Sequence, residues 1–243
     1  MNIIILAAGN RINNNLNYPI YMTEINSTPL IHKQIEQMKA LKKAKIIVAV
    51  DYEQDKKFHI EKIIKAIDPN IFVVSIYGST KGALFSCLLC SDLLDLEEEM
   101  IVMSCNEYIQ IDFNDFIKKS KDNNANAAIA TFQSIHPRYS YINKDSEENI
   151  VQVTFNGPPT GIACSSLVWQ KSAKKFIEEC ENAILKKIDF NEEFYFNEII
   201  NQFILSDQKI YDYGIKKGNY LPLKSKEQIA ELQYYFREEN EKI

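Results

Sequence analysis

Residues able to handle a phosphate-bearing ligand gather at the ends of apolar runs in this chain. Ala7-Ala8-Gly9-Asn10-Arg11 follows the apolar residues 3–6 and precedes an Asn-rich segment that leads through Pro29 into a helical pattern. Small residues let a backbone approach a ligand closely, and an arginine neutralises phosphate oxygens. Strand, tight turn, polar loop and helix is the order by which α/β proteins build a ligand site at the carboxyl end of a strand. Gly78-Ser79-Thr80-Lys81-Gly82 opens another helical pattern, where backbone amides favour an anion and Gly82 leaves room for a flat base or a phosphate. The same residues read equally well as a capped helix with no ligand. Asn106-Glu107 follow the apolar run 100–105, which places them at a strand end facing a ligand crevice.

Those residues need a scaffold, and the hydrophobic pattern supplies one. Ile31, Ile35, Met38 and Leu41 recur at the three- and four-residue intervals of a helix lying on a sheet. Residues 46–50 (IIVAV) predict a central parallel strand, Phe58 to Ile67 a second helix ending before Asp68-Pro69, and 71–76 a third strand. This is a βαβαβ unit with helices covering the sheet. A helix carrying Ala83, Leu84, Cys87, Leu88 and Leu94 follows, then the strand 100–105. In the second half, 127–132 reads as a strand, His136 opens a β excursion that 150–155 closes as a hairpin partner, and 161–169 is another strand. Helices over 171–187 and 194–205, a strand at 209–213 and a charged helix over 225–239 complete the chain. The acidic run Glu97-Glu98-Glu99 reads as a solvated helix end.

Composition narrows the function classes. At 243 residues the chain suits one large α/β domain, and 46% hydrophobic with 25% charged residues is ordinary for a globular protein. A net charge of −5 provides no global basic field, which argues against nucleic acid held by its backbone. The amino-terminal apolar run breaks at Gly9 and Asn10, so neither a signal peptide nor a membrane span is expected, and a cytoplasmic location is. Cys87, Cys90, Cys105, Cys164 and Cys180 sit in apolar surroundings and read as reduced, buried thiols; Cys87 and Cys90 have Cys-x-x-Cys spacing, but no second pair follows at a zinc-site distance.

Taken together, IIILAAG, PLIHKQIEQMKAL, GSTKGALFSCLLCSDLL, VMSCNEYIQID, ATFQSIHPRYSYI, GIACSSLVW, EEFYFNEIINQFI and SKEQIAELQYYF resemble, in this order and spacing, the nucleotidyltransferase family of sugar-1-phosphate nucleotidylyltransferases and cytidylyltransferases of surface-polysaccharide pathways. The resemblance extends over most of the chain. It implies a Rossmann-like three-layer α/β/α fold with a mostly parallel central sheet and a small β excursion. A single domain over 1–243 would have a nucleotide-binding half, 1–125, and an acceptor-binding half, 126–243. It further implies that a nucleoside triphosphate (CTP, dTTP or UTP) binds on the first glycine-rich loop and a phosphorylated small molecule or sugar binds across the crevice. The acceptor phosphate would attack the α-phosphorus and expel pyrophosphate, with Mg²⁺ held by carboxylate. By the same resemblance, Ala7, Ala8, Gly9, Asn10, Lys81, Gly82 and Asn106 line the nucleotide, Arg11 and Glu107 serve catalysis, and Arg138, Tyr139, Gly161, Glu193, Tyr195 and Asn201 face the acceptor.

Several family positions differ here. The first loop lacks a second glycine, and Pro19 is followed by Ile20 where relatives place a phosphate-neutralising lysine. Asn106 stands where they carry a metal-binding aspartate, and a neutral amide is a poor Mg²⁺ ligand. Glu107 is the remaining carboxylate, although neighbouring side chains at a strand end point to opposite sides. Phe155 and Asn156 occupy the place of a glutamate-lysine pair, and KKGNYLPLKSKEQ lacks a second metal-binding aspartate. Two readings follow. In one, Arg11, Lys81 and Glu107 take over charge neutralisation and metal binding in an active enzyme. In the other, a catalytically degenerate homologue binds a nucleotide or sugar nucleotide, or serves as a non-catalytic partner in a complex or homo-oligomer. A glycosyltransferase would need an Asp-x-Asp motif after a strand, which Gln110-Ile111-Asp112 is not.

Overall fold

A computed structural model describes residues 1–9, 18–78, 80–155, 157–186, 196–223 and 226–240. In chain order its strands are β1 (Asn2–Ala7), β2 (Glu24–Ile25), β3 (Thr28–Pro29), β4 (Lys45–Asp51), β5 (Phe72–Ile76), β6 (Met100–Ser104), β7 (Glu107–Ile109), β8 (Ala127–Gln133), β9 (Tyr141–Lys144), β10 (Ile150–Thr154), β11 (Ile162–Gln170), β12 (Ile210–Gly214) and β13 (Tyr220–Pro222). Its helices are α1 (Leu30–Lys39), α2 (Tyr52–Phe58), α3 (Ile60–Ile67), α4 (Ala83–Leu88), α5 (Phe113–Asp122), α6 (Ala173–Leu185), α7 (Glu198–Leu205) and α8 (Lys226–Asn240).

β1 is buried along its whole length because it is paired on both edges, with β4 on one side and β6 on the other, all parallel. Continuous Ile and Val runs suit strands covered on both faces. β5 extends the sheet beyond β4 in the same direction. Beyond β6 a single strand runs against the others along this path. β11 runs antiparallel between β6 and β8, and β12 lies parallel to β8 at the edge. The order β5-β4-β1-β6-β11-β8-β12 therefore leaves β1, β6 and β8 ending on the same side. A shift in register between Cys164 and Val168 turns the first part of β11 toward β9, whose hairpin with β10 forms the expected β excursion.

Alternation along the strands divides the core into two layers. Ile3, Ile5, Val48, Val50, Ile101 and Met103 pack beneath α1, α3 and α5. Ile4, Leu6, Ile47, Ala49 and Val102 pack beneath α4, α6 and α7. A third cluster joins Ile20, Ile25, Leu30, Tyr108 and Leu223 to Ile229, Leu232 and Phe236 of α8. Phe236 is thus a core aromatic, while its neighbour Tyr234 is exposed.

Three local expectations are corrected. The helix expected through Ile67 is two helices, because His59 adopts a left-handed conformation at φ 55° and ends α2. Asp55 then accepts the Glu61 amide at 2.7 Å and caps the start of α3. The helix expected to reach Leu94 stops at Leu88, and a 3-10 turn at Ser91–Leu93 follows. Glu97 to Glu99 form a turn into β6 rather than a helix end, and Glu99 accepts from the Trp169 indole at 2.9 Å and from Lys121 at 2.8 Å. The five cysteines are free and buried, as expected. Burial pushes the thiols of Cys87, Cys90, Cys105, Cys164 and Cys180 up, with Cys90 at about 12.

Candidate functional site

The carboxyl ends of β1, β6 and β8 define one rim. Ala7 closes β1 inside the core, Ala8 is half-buried and Gly9 is exposed. A Cβ built on Gly9 would lie 3.6 Å from Asn106 Nδ2, which is ordinary contact, so the ends of β1 and β6 sit side by side without a steric demand for glycine. Asn10 and Arg11 fall outside the described residues.

Thr80, Lys81 and Gly82 lead into α4. Gly82 does require its residue type: φ 108° with ψ −178° is a conformation that side chains disfavour. Thr80 Oγ1 donates to the Gly82 carbonyl at 3.2 Å and contacts Ser86 Oγ at 3.2 Å, which fixes the turn. Ala8 and Ala83 pack on the same apolar cluster, bringing this turn alongside the end of β1, and Lys81 is exposed on it.

The segment expected to hold a phosphate-neutralising cation does something else. Pro19 leads into a 3-10 turn, Ile20–Met22, and Ile20 is only 3% exposed, packed among Tyr108, Leu223 and the α8 residues Ile229 and Phe236. Tyr21 is buried against the other layer and donates to Gln54 Oε1 at 3.3 Å. Burial, and then the neighbouring Cys105, Asp51 and Asp55, push its hydroxyl far above the usual tyrosine range.

At the end of β6, the Asn106 amide donates to Ser104 Oγ at 3.2 Å and its carbonyl accepts the Leu223 amide at 2.9 Å. Glu107 is buried. Its Oε1 accepts from the Ser166 amide at 2.7 Å and from Ser166 Oγ at 2.6 Å, and its Oε2 accepts from the Tyr220 hydroxyl at 2.9 Å. Gln34 Nε2 donates to the Glu107 carbonyl at 2.8 Å. This carboxylate ties β7 to β11 and β13. The described residues do not fit a Mg²⁺ ion at this strand end: the Glu107 oxygens already accept three protein donors, Asn106 offers an amide, and Pro222 lies beside Glu107 in the β13–β7 pairing. No group of three or more His, Cys, Asp or Glu that could hold a metal occurs among the described residues. Asp112 caps α5 by accepting the Asn114 and Asp115 amides.

The residues expected to face an acceptor separate into two sets. Asn201 spends its amide on β10: Oδ1 accepts the Val153 N–H at 2.7 Å and Nδ2 donates to the Val153 carbonyl at 2.9 Å, so it docks α7 rather than facing the rim. Gly161, at φ 93°, accepts the Ser134 amide at 3.1 Å through its carbonyl and holds the loop after β8. In that loop His136 Nδ1 accepts the Arg138 amide at 3.2 Å, and the His136 carbonyl accepts the Tyr141 hydroxyl at 2.7 Å, so His136 orders the turn. Arg138 Nη2 donates to the Tyr139 hydroxyl at 2.6 Å and the guanidinium stands 4.8 Å over that ring. Tyr139 meets Phe132 edge-on at 4.9 Å, and Phe132 stacks on Tyr220 at 3.6 Å. Glu193 and Tyr195 fall outside the described residues. Ser166 and Tyr220 were not singled out from sequence; an isolated Ser and an aromatic in a short strand carry no local signal.

No family model matches the chain, and no curated protein matches it. Solved structures do. A nucleoside-diphosphate-sugar pyrophosphorylase from Vibrio cholerae RC9 superposes with a TM-score of 0.78 at 13% identity, over 96% of this chain and 100% of that one. A putative glucose-1-phosphate thymidylyltransferase from Bacillus anthracis gives 0.77 at 14% identity, over 98% and 95%. HddC from Yersinia pseudotuberculosis gives 0.67 at 19% identity, over 97% and 99%. The chain has the nucleotide-diphospho-sugar transferase fold, and it has it nearly end to end. Among the described residues no helix is long and apolar enough to cross a membrane.

Proposed function

We propose that this protein transfers a nucleotidyl group from a nucleoside triphosphate, CTP, dTTP or UTP, to a phosphorylated sugar or other small acceptor. Such a product would feed surface-polysaccharide assembly. The observation that carries this reading is the shared rim: the Gly9 and Gly82 turns and the Arg138 loop lie at the carboxyl ends of parallel strands, in a fold matched over nearly the whole chain. The nucleotide would lie on the Ala7-Ala8-Gly9 end and the Gly82 turn, with the acceptor phosphate near Arg138. An acceptor phosphate oxygen bonds to the α-phosphorus, the bond from that phosphorus to the β-phosphate bridging oxygen breaks, and pyrophosphate leaves with that oxygen. Lys81 and Arg138, both exposed at the rim, and Arg11 provide the cations for the charge that develops.

A second reading, a nucleotide- or sugar-nucleotide-binding protein without transfer activity, is favoured by one observation: Ile20 is buried where phosphate-neutralising charge is expected. Pyrophosphate release with each nucleotide, hexose 1-phosphates and Mg²⁺ separates the two. Turnover by the wild type that Arg11→Ala abolishes supports transfer; no release, with a melting temperature still raised by nucleotide, supports binding alone.

A further inference from the structure

Two aromatic rings stand at the rim beside the glycine turns. Tyr52 is the first residue of α2, and Tyr77 is the first residue after β5. The parallel register of β4 and β5 ends on Asp51 opposite Ile76, so the next residue of each strand is brought alongside the other. The two rings stack, with centroids 4.0 Å apart and planes 26° from parallel. Asp51 caps α2 by accepting the Gln54 amide at 2.8 Å, which fixes the turn that carries Tyr52. Tyr52 is half-buried, but Tyr77 is 73% exposed, so its ring face turned away from Tyr52 is open.

Packing does not account for this ring. Single exposed apolar side chains such as Leu185 and Leu205 are ordinary on a protein surface. Tyr77 differs in being held flat by a second ring while most of its own surface faces water, so it contributes little burial and keeps a π face of fixed orientation. Its position points the same way. Only β4 separates β5 from β1, which sets the carboxyl ends of those two strands about 10 Å apart. Gly78, at φ 70°, turns the chain from Tyr77 back toward Gly82, whose helix packs against β1, and exposed Lys81 lies on that connection. A flat ring, a lysine and the β1 end follow one another along the rim, in the order of the base and phosphates of a nucleotide.

We propose that Tyr77, backed by Tyr52, is the platform on which the base of the nucleotide stacks. This rests on the reading of the β1 end and the Gly82 turn as the nucleotide side. A π face is common to every base, so the platform supplies affinity without choosing among CTP, dTTP and UTP. Stacking one base on an aromatic side chain is worth about tenfold in affinity.

Binding, rather than turnover, tests it. UTP, CTP and glucose 1-phosphate are titrated separately, by calorimetry with Mg²⁺ present, into the wild type, Tyr77→Phe and Tyr77→Leu. Tyr77→Phe keeps the ring and should bind both nucleotides within about twofold of the wild type, whereas Tyr77→Leu keeps an apolar side chain without a π face and should lose about tenfold for UTP and CTP alike. Glucose 1-phosphate affinity should not change in either. In Tyr77→Trp the new indole should be quenched by UTP and not by glucose 1-phosphate, against the constant background of the buried Trp169. Equal nucleotide affinity in Tyr77→Leu and the wild type, a parallel loss for glucose 1-phosphate, a loss for glucose 1-phosphate alone, or no nucleotide binding by the wild type would each overturn the proposal. A protein that shows the nucleotide losses in Tyr77→Leu yet releases no pyrophosphate keeps the platform and refutes the transfer reaction instead.

Discussion

The two sides of the rim handle their inward-facing residues in opposite ways. On the side proposed for the nucleotide, the residue after Pro19 is an isoleucine turned into an apolar cluster beneath α8, and the next, Tyr21, seals the other layer. On the side proposed for the acceptor, a buried carboxylate is kept, with both oxygens hydrogen-bonded to Ser166 and Tyr220, while Arg138 stands exposed over the Tyr139 ring. A buried apolar group contributes by leaving water, and any polar atom placed there must find a partner. A buried carboxylate persists only when fully satisfied, and then it fixes geometry. The first side has become packing; the second is orientation.

That contrast can be broken most severely at Ile20. Ile20→Lys places an ammonium in the cluster of Tyr108, Leu223 and Phe236, and should lower unfolding free energy by about 4 kcal/mol, read from the urea midpoint. Ile20→Ala should cost about 3 kcal/mol through the cavity alone. A lysine tolerated without loss would mean that the position still opens to the rim. Next in size, Glu107→Ala leaves Ser166 and Tyr220 donors without their acceptor and should cost about 3 kcal/mol by the same measurement. A cost near zero would show that Glu107 anchors nothing.

Asn201 sharpens the distinction between docking and ligand binding. Asn201→Ala removes both hydrogen bonds to Val153 and should cost about 1.5 kcal/mol while leaving glucose 1-phosphate affinity unchanged. The reverse pattern would return Asn201 to the acceptor site. The smallest effect concerns Glu179, remote from the rim. Burial alone would raise its carboxyl, but Lys175 at 2.8 Å, Ser206 at 2.5 Å and Asn182 at 3.1 Å outweigh it and hold the group below its ordinary value. The unfolded chain binds that proton more readily than the folded one, so the stabilisation is present at neutral pH. It is lost as pH falls below about 4.5 through the lowered folded value. Stability measured against pH should fall less steeply there in Glu179→Gln than in the wild type.

Much of the scaffold was legible in the sequence for a physical reason. β1, β4 and β6 are unbroken apolar runs, which only strands covered on both faces require, and α1 carries its stripe at helical intervals. Small errors fell where the signal is conformational rather than compositional: nothing in the type of His59 announces a left-handed residue between two helices. Glu107 was recognisable as a carboxylate at a strand end. Its orientation was not, because that depends on Ser166 and on Tyr220, 113 residues away. Ile20 could be seen to lack charge, but its burial depends on α8 at the far end of the chain. Gly82 was singled out in the sequence for the close approach of a ligand; what the structure gives is its φ of 108° at the turn that starts α4.

Nucleotidyl transfer itself is best followed by atoms. CTP, dTTP, UTP and ATP, each labelled at the α-phosphate, are incubated with the wild-type protein, Mg²⁺ and hexose 1-phosphates, and the products are separated. At least one pairing should move the label into a nucleoside-diphosphate sugar with an equal yield of unlabelled pyrophosphate. Label that stays in the triphosphate with every pairing, in a protein whose melting temperature those nucleotides still raise, would contradict transfer and leave binding as the function of the rim.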